Sequence, residues 1–356
     1  MKIALVNDQH FGCRNDSIHF DNFFEKFYRD VFFPYLDKHD IKCIFDLGDT
    51  FDRRKYINFV SLKRCKEYWF NEIKKRNIPL HVLVGNHTTV YKNTNEFNSP
   101  ELLLAEYDNV QIYKEAKDIE IDGALIGIVP WINPTNEKQT LKYLSDTKAE
   151  VLFGHFEIAG FEMDKGNVCH EGMDRTIFDR FDLVLSGHFH HKSTDGIIYY
   201  LGNQYEITWA DYNDPRGFHI YDTDTRELTF VENPYKIFYK LDYDDSIQSF
   251  ETWKQFDFSK YKDVYLKINV KNKQNPYLFD TILDKILKEN PIDVSVVENF
   301  DDFQVPESEE IDQAEDTVTI LSKYIDQLTL NVESERMKIL MRDLYQECLS
   351  VNNNVD

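Results

Sequence analysis

Cysteine is scarce in this chain of 356 residues. The five present, Cys13, Cys43, Cys65, Cys169 and Cys348, are odd in number and none forms a C-x-x-C pair. That argues against a disulfide framework and against a zinc site built on thiolates, and it makes a reducing, cytoplasmic compartment the expectation. Long apolar runs are missing too: nothing approaches the roughly 18 consecutive apolar residues of a membrane span. A strand that opens at Met1-Lys2-Ile3 leaves no room for a secretory leader. Positive charge is in deficit, with 41 Lys and Arg against 63 Asp and Glu, a formal charge of −22 that weighs against strong nonspecific binding to a polyanion. Part of the excess is local, because residues 301–316 (DDFQVPESEEIDQAED) hold eight acids and no base.

Apolar residues make up 42% of the chain and aromatic ones 15%, enough for a sizeable core and for two domains, or one domain with appendages. Five short apolar runs each end in polar punctuation. Ile3-Ala4-Leu5-Val6 leads to Asp8-Gln9-His10, and Cys43-Ile44-Phe45-Asp46-Leu47 to Gly48-Asp49-Thr50-Phe51-Asp52-Arg53. Leu80-His81-Val82-Leu83-Val84 leads to Gly85-Asn86-His87, Val151-Leu152-Phe153 to Gly154-His155, and Leu183-Val184-Leu185 to Gly187-His188-Phe189-His190. Glycine at such joints permits dihedrals that other residues avoid, so the next side chain can be aimed at a common site. Histidines two apart on an extended strand end share one side of the backbone, and imidazole is the commonest metal-ligating side chain.

The segments between these motifs set the architecture. Phe20 to Leu36 and Phe59 to Lys75 carry apolar residues at helical spacing, so the first third reads strand, helix, strand, helix, strand, with ligands at the carboxyl ends of the strands. From about residue 110 strands dominate, at 119–121, 124–129, 197–201, 218–221 and 228–231, which predicts a β-sandwich flanked by helices rather than one open parallel sheet. After Asn233-Pro234 the pattern of strand (237–241), helix (246–256), strand (264–270), helix (278–289) and strand (293–297) predicts a small α/β module over 235–300. The acidic stretch 301–316 reads as a linker. Beyond it, Val318, Leu321, Ile325 and Leu328, then Met337, Leu340, Met341, Leu344 and Cys348, predict two short helices over 317–356, with Asn331 as a cap. Two helices of that size make a marginal core alone and favour docking on a partner.

Asp8, His10, Asp49, Asn86, His155, His188 and His190 are the candidate metal ligands. Carboxylate, amide and imidazole without thiolate suit Mn²⁺, Fe²⁺, Mg²⁺ or Zn²⁺, the mixed donors arguing against a purely Mg²⁺ site. Seven ligands exceed what one tetrahedral ion takes, so two ions are expected, with Asp49 at the central strand end as the bridging carboxylate. Two ions side by side suit phosphoester hydrolysis. His87, next to Asn86 but pointing elsewhere, has the pKa range of a general acid for the leaving alkoxide. Among the basic clusters, Lys63-Arg64-Lys66 and Lys74-Lys75-Arg76 read as solvated helix faces. Arg53 follows a ligand motif directly and is the candidate substrate contact.

In order, DQH, GDTFDR, GNH, GH and GHFH resemble the five blocks of the calcineurin-like metallophosphoesterases, over roughly residues 1–205. More narrowly, the spacing to Asp49 and the later module and helical tail resemble the SbcD-type DNA repair nucleases, the recombination nucleases of T-even bacteriophages among them. The resemblance implies a calcineurin-like α/β fold over 1–234, a DNA-contacting cap at 235–300 and a tail at 317–356 that binds an SMC-like ATPase subunit. It implies one Mn²⁺ held by Asp8, His10, Asp49 and His190, another by Asp49, Asn86, His155 and His188, and His87 as catalytic acid. It also implies a homodimer acting on DNA in recombination and repair, as exonuclease or endonuclease. One position departs: the third block usually reads GNHD or GNHE, whereas Thr88 cannot supply a charged partner to His87, which implies weaker acid catalysis or compensation by another acid. The competing readings are a phosphoesterase for small molecules or phosphoproteins, disfavoured by the added module and helices, and a metal-retaining scaffold, motivated only by Thr88.

Overall fold

The computed structural model describes residues 1–298 and, beyond them, Ile325, Met337, Lys338, Leu340 and Met341, all helical. The predicted linker at 301–316, the Asn331 cap and most of the predicted tail lie outside the described residues. Strands β1 (Lys2–Val6), β2 (Ile44–Asp46), β3 (Leu80–Leu83) and β4 (Val110–Tyr113) run parallel side by side. A second sheet follows from β5 (Lys117–Ile121), β6 (Ala124–Val129), β7 (Val151–His155), β10 (Leu183–Gly187), β11 (Ser193–Thr194) and β12 (Ile198–Tyr200). Between β7 and β10 a small hairpin, β8 (Glu162–Asp164) and β9 (Asn167–Val168), stands apart. β13 (Gly217–Asp222) and β14 (Leu228–Glu232) then return to the first sheet, giving the orders β14-β13-β1-β2-β3-β4 and β11-β12-β10-β7-β6-β5.

Strand periodicity builds the layers. In β1, Ile3 and Leu5 face the second sheet, packing with Phe45, Ile126, Ile128, Phe153 and Leu185, while Ala4 and Val6 face the helices and pack with Phe20, Phe24 and Phe27. The outer face of the second sheet is covered by Leu144, Phe156, Phe178 and Phe181. The result is helix, sheet, sheet, helix: the sandwich flanked by helices that the strand-rich middle of the sequence predicts. Burying both faces explains why β1, β2, β7 and β10 are near-continuous apolar runs.

The predicted helices at 20–36 and 59–75 appear as Ile18–Phe27 and Phe59–Cys65, each continuing through a five-residue π segment, Tyr28–Phe32 and Lys66–Phe70, into Phe33–His39 and Asn71–Lys75. The later module has β15 (Phe238–Asp244), β16 (Tyr265–Asn272) and β17 (Asp293–Glu298) in one parallel sheet. Helices Phe250–Gln255 and Pro276–Lys288 supply Trp253, Phe279, Ile282 and Ile286 to its own apolar cluster. The first of these starts at 250 rather than 246, because Ser246 is tied to Asp244 in a turn and Ser249 makes the cap, its Oγ accepting from Thr252 N. No described helix is long and apolar enough to cross a membrane.

Candidate metal centre

The loops after β1, β2, β3, β7 and β10 converge, because parallel strands of a sandwich end on the same edge. Asp8, His10 and His190 offer ligand atoms all within 4.8 Å of one another, and so do Asp49, His155 and His188. His10 Nε2 lies 3.1 Å from His190 Nε2. On the other side Asn86 Oδ1 lies 2.9 Å from His155 Nε2 and 3.0 Å from His188 Nδ1. Asp49 belongs to the second group, its Oδ2 3.3 Å from His155 Nε2, and its backbone carbonyl accepts from the His10 N–H of the first. All seven predicted ligands are therefore brought together, with His188 and His190 on opposite clusters.

The donor set suits divalent cations by its electrostatics. Asp8, Asp49 and Asp52 are 0–5% exposed, and buried carboxylates need positive charge close by. Burial opposes charge on His10 and His155, but Asp52, Asp49 and Asp8 around His10, and Asp49 and Asp8 around His155, outweigh it and raise both to about 9. His188 and His190 are driven well below the usual imidazole range by burial, then by His155 and by His10 respectively. Asp8 Oδ1 is buried without a hydrogen-bond partner, so lone pairs remain for a cation. Asp8, His10, Asp49, Asn86, His155, His188 and His190 are the residues that would hold such ions.

Around these side chains stand groups the motif pattern does not single out. His10 Nδ1 is 3.2 Å from Asp52 Oδ1. Gln9 points away from the site: its amide donates to Asp46 Oδ2 at 2.7 Å and accepts from Tyr28 Oη at 2.6 Å, tying the β1 loop to the helical layer. Asp46 is pushed up to about 7 by burial, despite hydrogen bonds from Thr50 and Gln9. Arg216, 5% exposed, donates to the His190 carbonyl and to Asn203 Oδ1, and pairs with Asp211 at 2.6 Å and Asp214 at 2.9 Å. It fixes the backbone of the His188–His190 loop. Asp52 lies inside a motif already visible, but nothing in the sequence near Arg216 marks it.

His87 is half-buried at the rim, its ring centroid 4.9 Å from that of His10. Its Nδ1 is 2.9 Å from the backbone carbonyl of Asp52, and its N–H donates to Asp49 Oδ1 at 2.8 Å. Thr88 is fully buried and its hydroxyl exchanges hydrogen bonds with Gly85, so position 88 closes the turn. The contact that fixes the His87 ring is thus a main-chain carbonyl in place of an acid. Arg53 is held by Asn15 Oδ1 at 2.6 Å and Asp16 Oδ2 at 3.0 Å, with Tyr56 5.0 Å from its guanidinium.

Such a sandwich, with imidazole–carboxylate clusters at its strand ends, defines a metal-dependent phosphoesterase. The calcineurin-like phosphoesterase family model matches residues 1–192, and the chain belongs to that family. It is 28% identical over 355 residues to exonuclease subunit 1 of Enterobacteria phage T4, covering 98% of this chain and 99% of the relative. It is 25% identical over 398 residues to the SbcD component of the nuclease SbcCD of Staphylococcus epidermidis, covering 96% of this chain and 98% of the relative. These relatives bear out the SbcD-type resemblance. A solved archaeal phosphodiesterase aligns at 15% identity and a TM-score of 0.33, covering 65% of this chain and all of the other.

Proposed function

We propose that the chain is a Mn²⁺-dependent DNA nuclease that hydrolyses phosphodiesters with a two-ion site. It acts with an SMC-like ATPase subunit in recombination and repair of DNA ends in the cytoplasm. The observation that carries the reading is the pair of neighbouring ligand clusters, Asp8, His10 and His190 beside Asp49, His155 and His188. Its assignment to DNA is supported by full-length likeness to a phage exonuclease subunit and an SbcCD nuclease subunit.

Asp8, His10, Asp49, Asn86, His155, His188 and His190 would hold divalent ions, which would supply Lewis acidity toward phosphoryl oxygens and lower the pKa of a bound water. The protein's own groups do the rest. His87 Nδ1–H donates to the Asp52 carbonyl, which leaves Nε2 as the position that carries a proton to the leaving alkoxide. Asp52 also orients His10, and Arg216 holds the His190 main chain. Arg53 is the candidate phosphate contact, already steadied by Asn15 and Asp16. With a charge of −22 the chain attracts DNA weakly by itself, so the partner supplies part of the DNA-binding surface. Residues 235–300 form the cap over DNA, residues 317–356 dock on the ATPase, and the active unit is a homodimer.

The test is hydrolysis by the purified chain with Mn²⁺, compared with Mg²⁺, Fe²⁺ and Zn²⁺, on linear duplex DNA, single-stranded DNA and a chromogenic phosphomonoester. Mn²⁺-dependent DNA cleavage that falls roughly 10²- to 10⁴-fold in His87→Ala is expected. Ester hydrolysis without any DNA cleavage, even with the ATPase present, sinks the nuclease reading in favour of a small-molecule or phosphoprotein phosphoesterase. Co-purification of the ATPase should be lost when residues 317–356 are removed.

A further inference from the structure

Three of the four tryptophans sit in or against apolar clusters: Trp69 and Trp209 with the helical layer, Trp253 inside the later module. Trp131 belongs to none of the apolar clusters of the described residues, and it is only half-buried. Its indole lies instead against the candidate metal centre, with ring centroids 5.2 Å from His188 and 6.2 Å from His155. Leaving part of so large an apolar ring in water forfeits burial energy, which calls for a ligand that covers it.

The main chain beneath the ring is clamped. Trp131 N–H donates to the Val84 carbonyl at 2.8 Å, one residue before Gly85-Asn86-His87. The Trp131 carbonyl accepts from Asn95 Nδ2 at 2.8 Å and Asn136 Nδ2 at 3.0 Å. Asn133, 5% exposed, donates in turn to the 6% exposed Asn95 at 2.9 Å. Three asparagines thus fix the main chain that carries the indole relative to the strand end that carries Asn86. Such preorganisation is wasted on a ring with nothing to bind.

We infer that Trp131 is a stacking platform for an unpaired nucleobase flanking the scissile phosphate. The inference rests on the nuclease reading and deepens it to a preference for single-stranded or frayed ends. A nucleotide whose phosphate sits at the ligand clusters holds its base one sugar away, within reach of an indole packed against His188. Stacking is indifferent to base identity, since every base has a π face. A base still paired inside a duplex is already covered on both faces, so the platform engages a base that has left the stack.

The experiment uses the full chain with Mn²⁺ on two single-stranded oligonucleotides, one ordinary and one with abasic residues at both ends. The unaltered protein should show a KM lower on the ordinary strand by roughly 5- to 150-fold, the range of one base–aromatic stack. Trp131→Ala should abolish that difference by raising KM on the ordinary strand, and Trp131→Phe should keep most of it. Without metal, oligothymidylate should quench tryptophan fluorescence in the unaltered chain, and Trp131→Phe should lose the quenching while anisotropy still reports binding. Trp131→Ala that retains the full discrimination, or that lowers kcat equally on both strands as a purely structural residue would, overturns the inference. If the unaltered chain cuts the ordinary strand as efficiently as the abasic one, the inference falls while the nuclease reading stands. If it cuts neither strand even with the ATPase subunit added, both fall.

Discussion

His188 has a backbone φ of +89°, and Asp8, His10 and Asp49 lie at +49°, +47° and +54°. Non-glycine residues avoid this left-handed region, at a cost of about 1–3 kcal/mol each, and such residues cluster where function demands a fixed aim. The motif pattern assigns the unusual dihedrals to glycine, but among Gly48, Gly85, Gly154 and Gly187 only Gly48 has a positive φ, +109°. The others serve by lacking a Cβ: one added at Gly85 would collide with the Asp49 carboxylate, and one at Gly187 would meet Asn7 Cβ and the Leu47 carbonyl at 2.9 Å. The ligands themselves carry the strain. Because His188 and His190 face different clusters, metal analysis should show His188→Ala and His190→Ala each losing about one of two ions, and Asp49→Ala losing affinity at both positions. If either histidine variant loses both ions with its fold intact, the two positions are not separable.

The two long helices of the first helical layer carry aromatic runs that a regular helix cannot bury. Tyr68, Trp69 and Phe70 are consecutive and 9%, 0% and 1% exposed, although successive residues on an α-helix point about 100° apart. The π segment Lys66–Phe70 widens the turn enough to bring all three inward, and the facing segment Tyr28–Phe32 does the same for the adjacent pairs Phe27-Tyr28 and Phe32-Phe33, which repeat at five residues and are 0–3% exposed. Trp69 sits between them, 4.4 Å from Tyr28 and 5.1 Å from Phe32 by ring centroids. Both helices are legible from apolar spacing at Phe20–Phe27 and Phe59–Ile73. The π turns are not, because the spacing averages over them. Tyr28 also anchors Gln9, so this layer supports the loop between Asp8 and His10. Trp69→Ala should cost about 3–5 kcal/mol in urea unfolding, the usual range for emptying a large aromatic site. Metal affinity should fall with it through Tyr28 and Gln9, whereas an effect on stability alone means the layer does not position the β1 loop.

At the scale of the molecule, legibility divides by sequence distance. Asp8, Asp49, Asn86, His155 and His188 are visible because each closes a short apolar strand, a local pattern. Trp131 beside His188, Arg216 beneath His190 and the Asp52 carbonyl on His87 are pairings across the fold, with no local signature. Stability against pH is another whole-chain property set by such burial. His219, 6% exposed on β13, is held down to about 3 from 6.5 by burial and by Lys192, and His81 to about 4 by burial and Lys117. Their folded pKa values are depressed, so the stability they contribute is present above 6.5. It is lost as pH falls toward 3 or 4, when the unfolded chain takes up protons that the folded one refuses. Glu206, raised to about 7 by burial where it caps the start of β15, works in the opposite sense, losing its contribution as pH rises through 7. Because the two trends overlap, the total curve hides either one, and a difference measurement isolates the histidine. In metal-free urea unfolding, His219→Leu should gain stability relative to the unaltered chain between pH 7 and pH 4, by on the order of 2 kcal/mol or more. A difference that stays flat across that range would show that His219 takes up its proton in the fold as readily as in the open chain, and that β13 admits water to it.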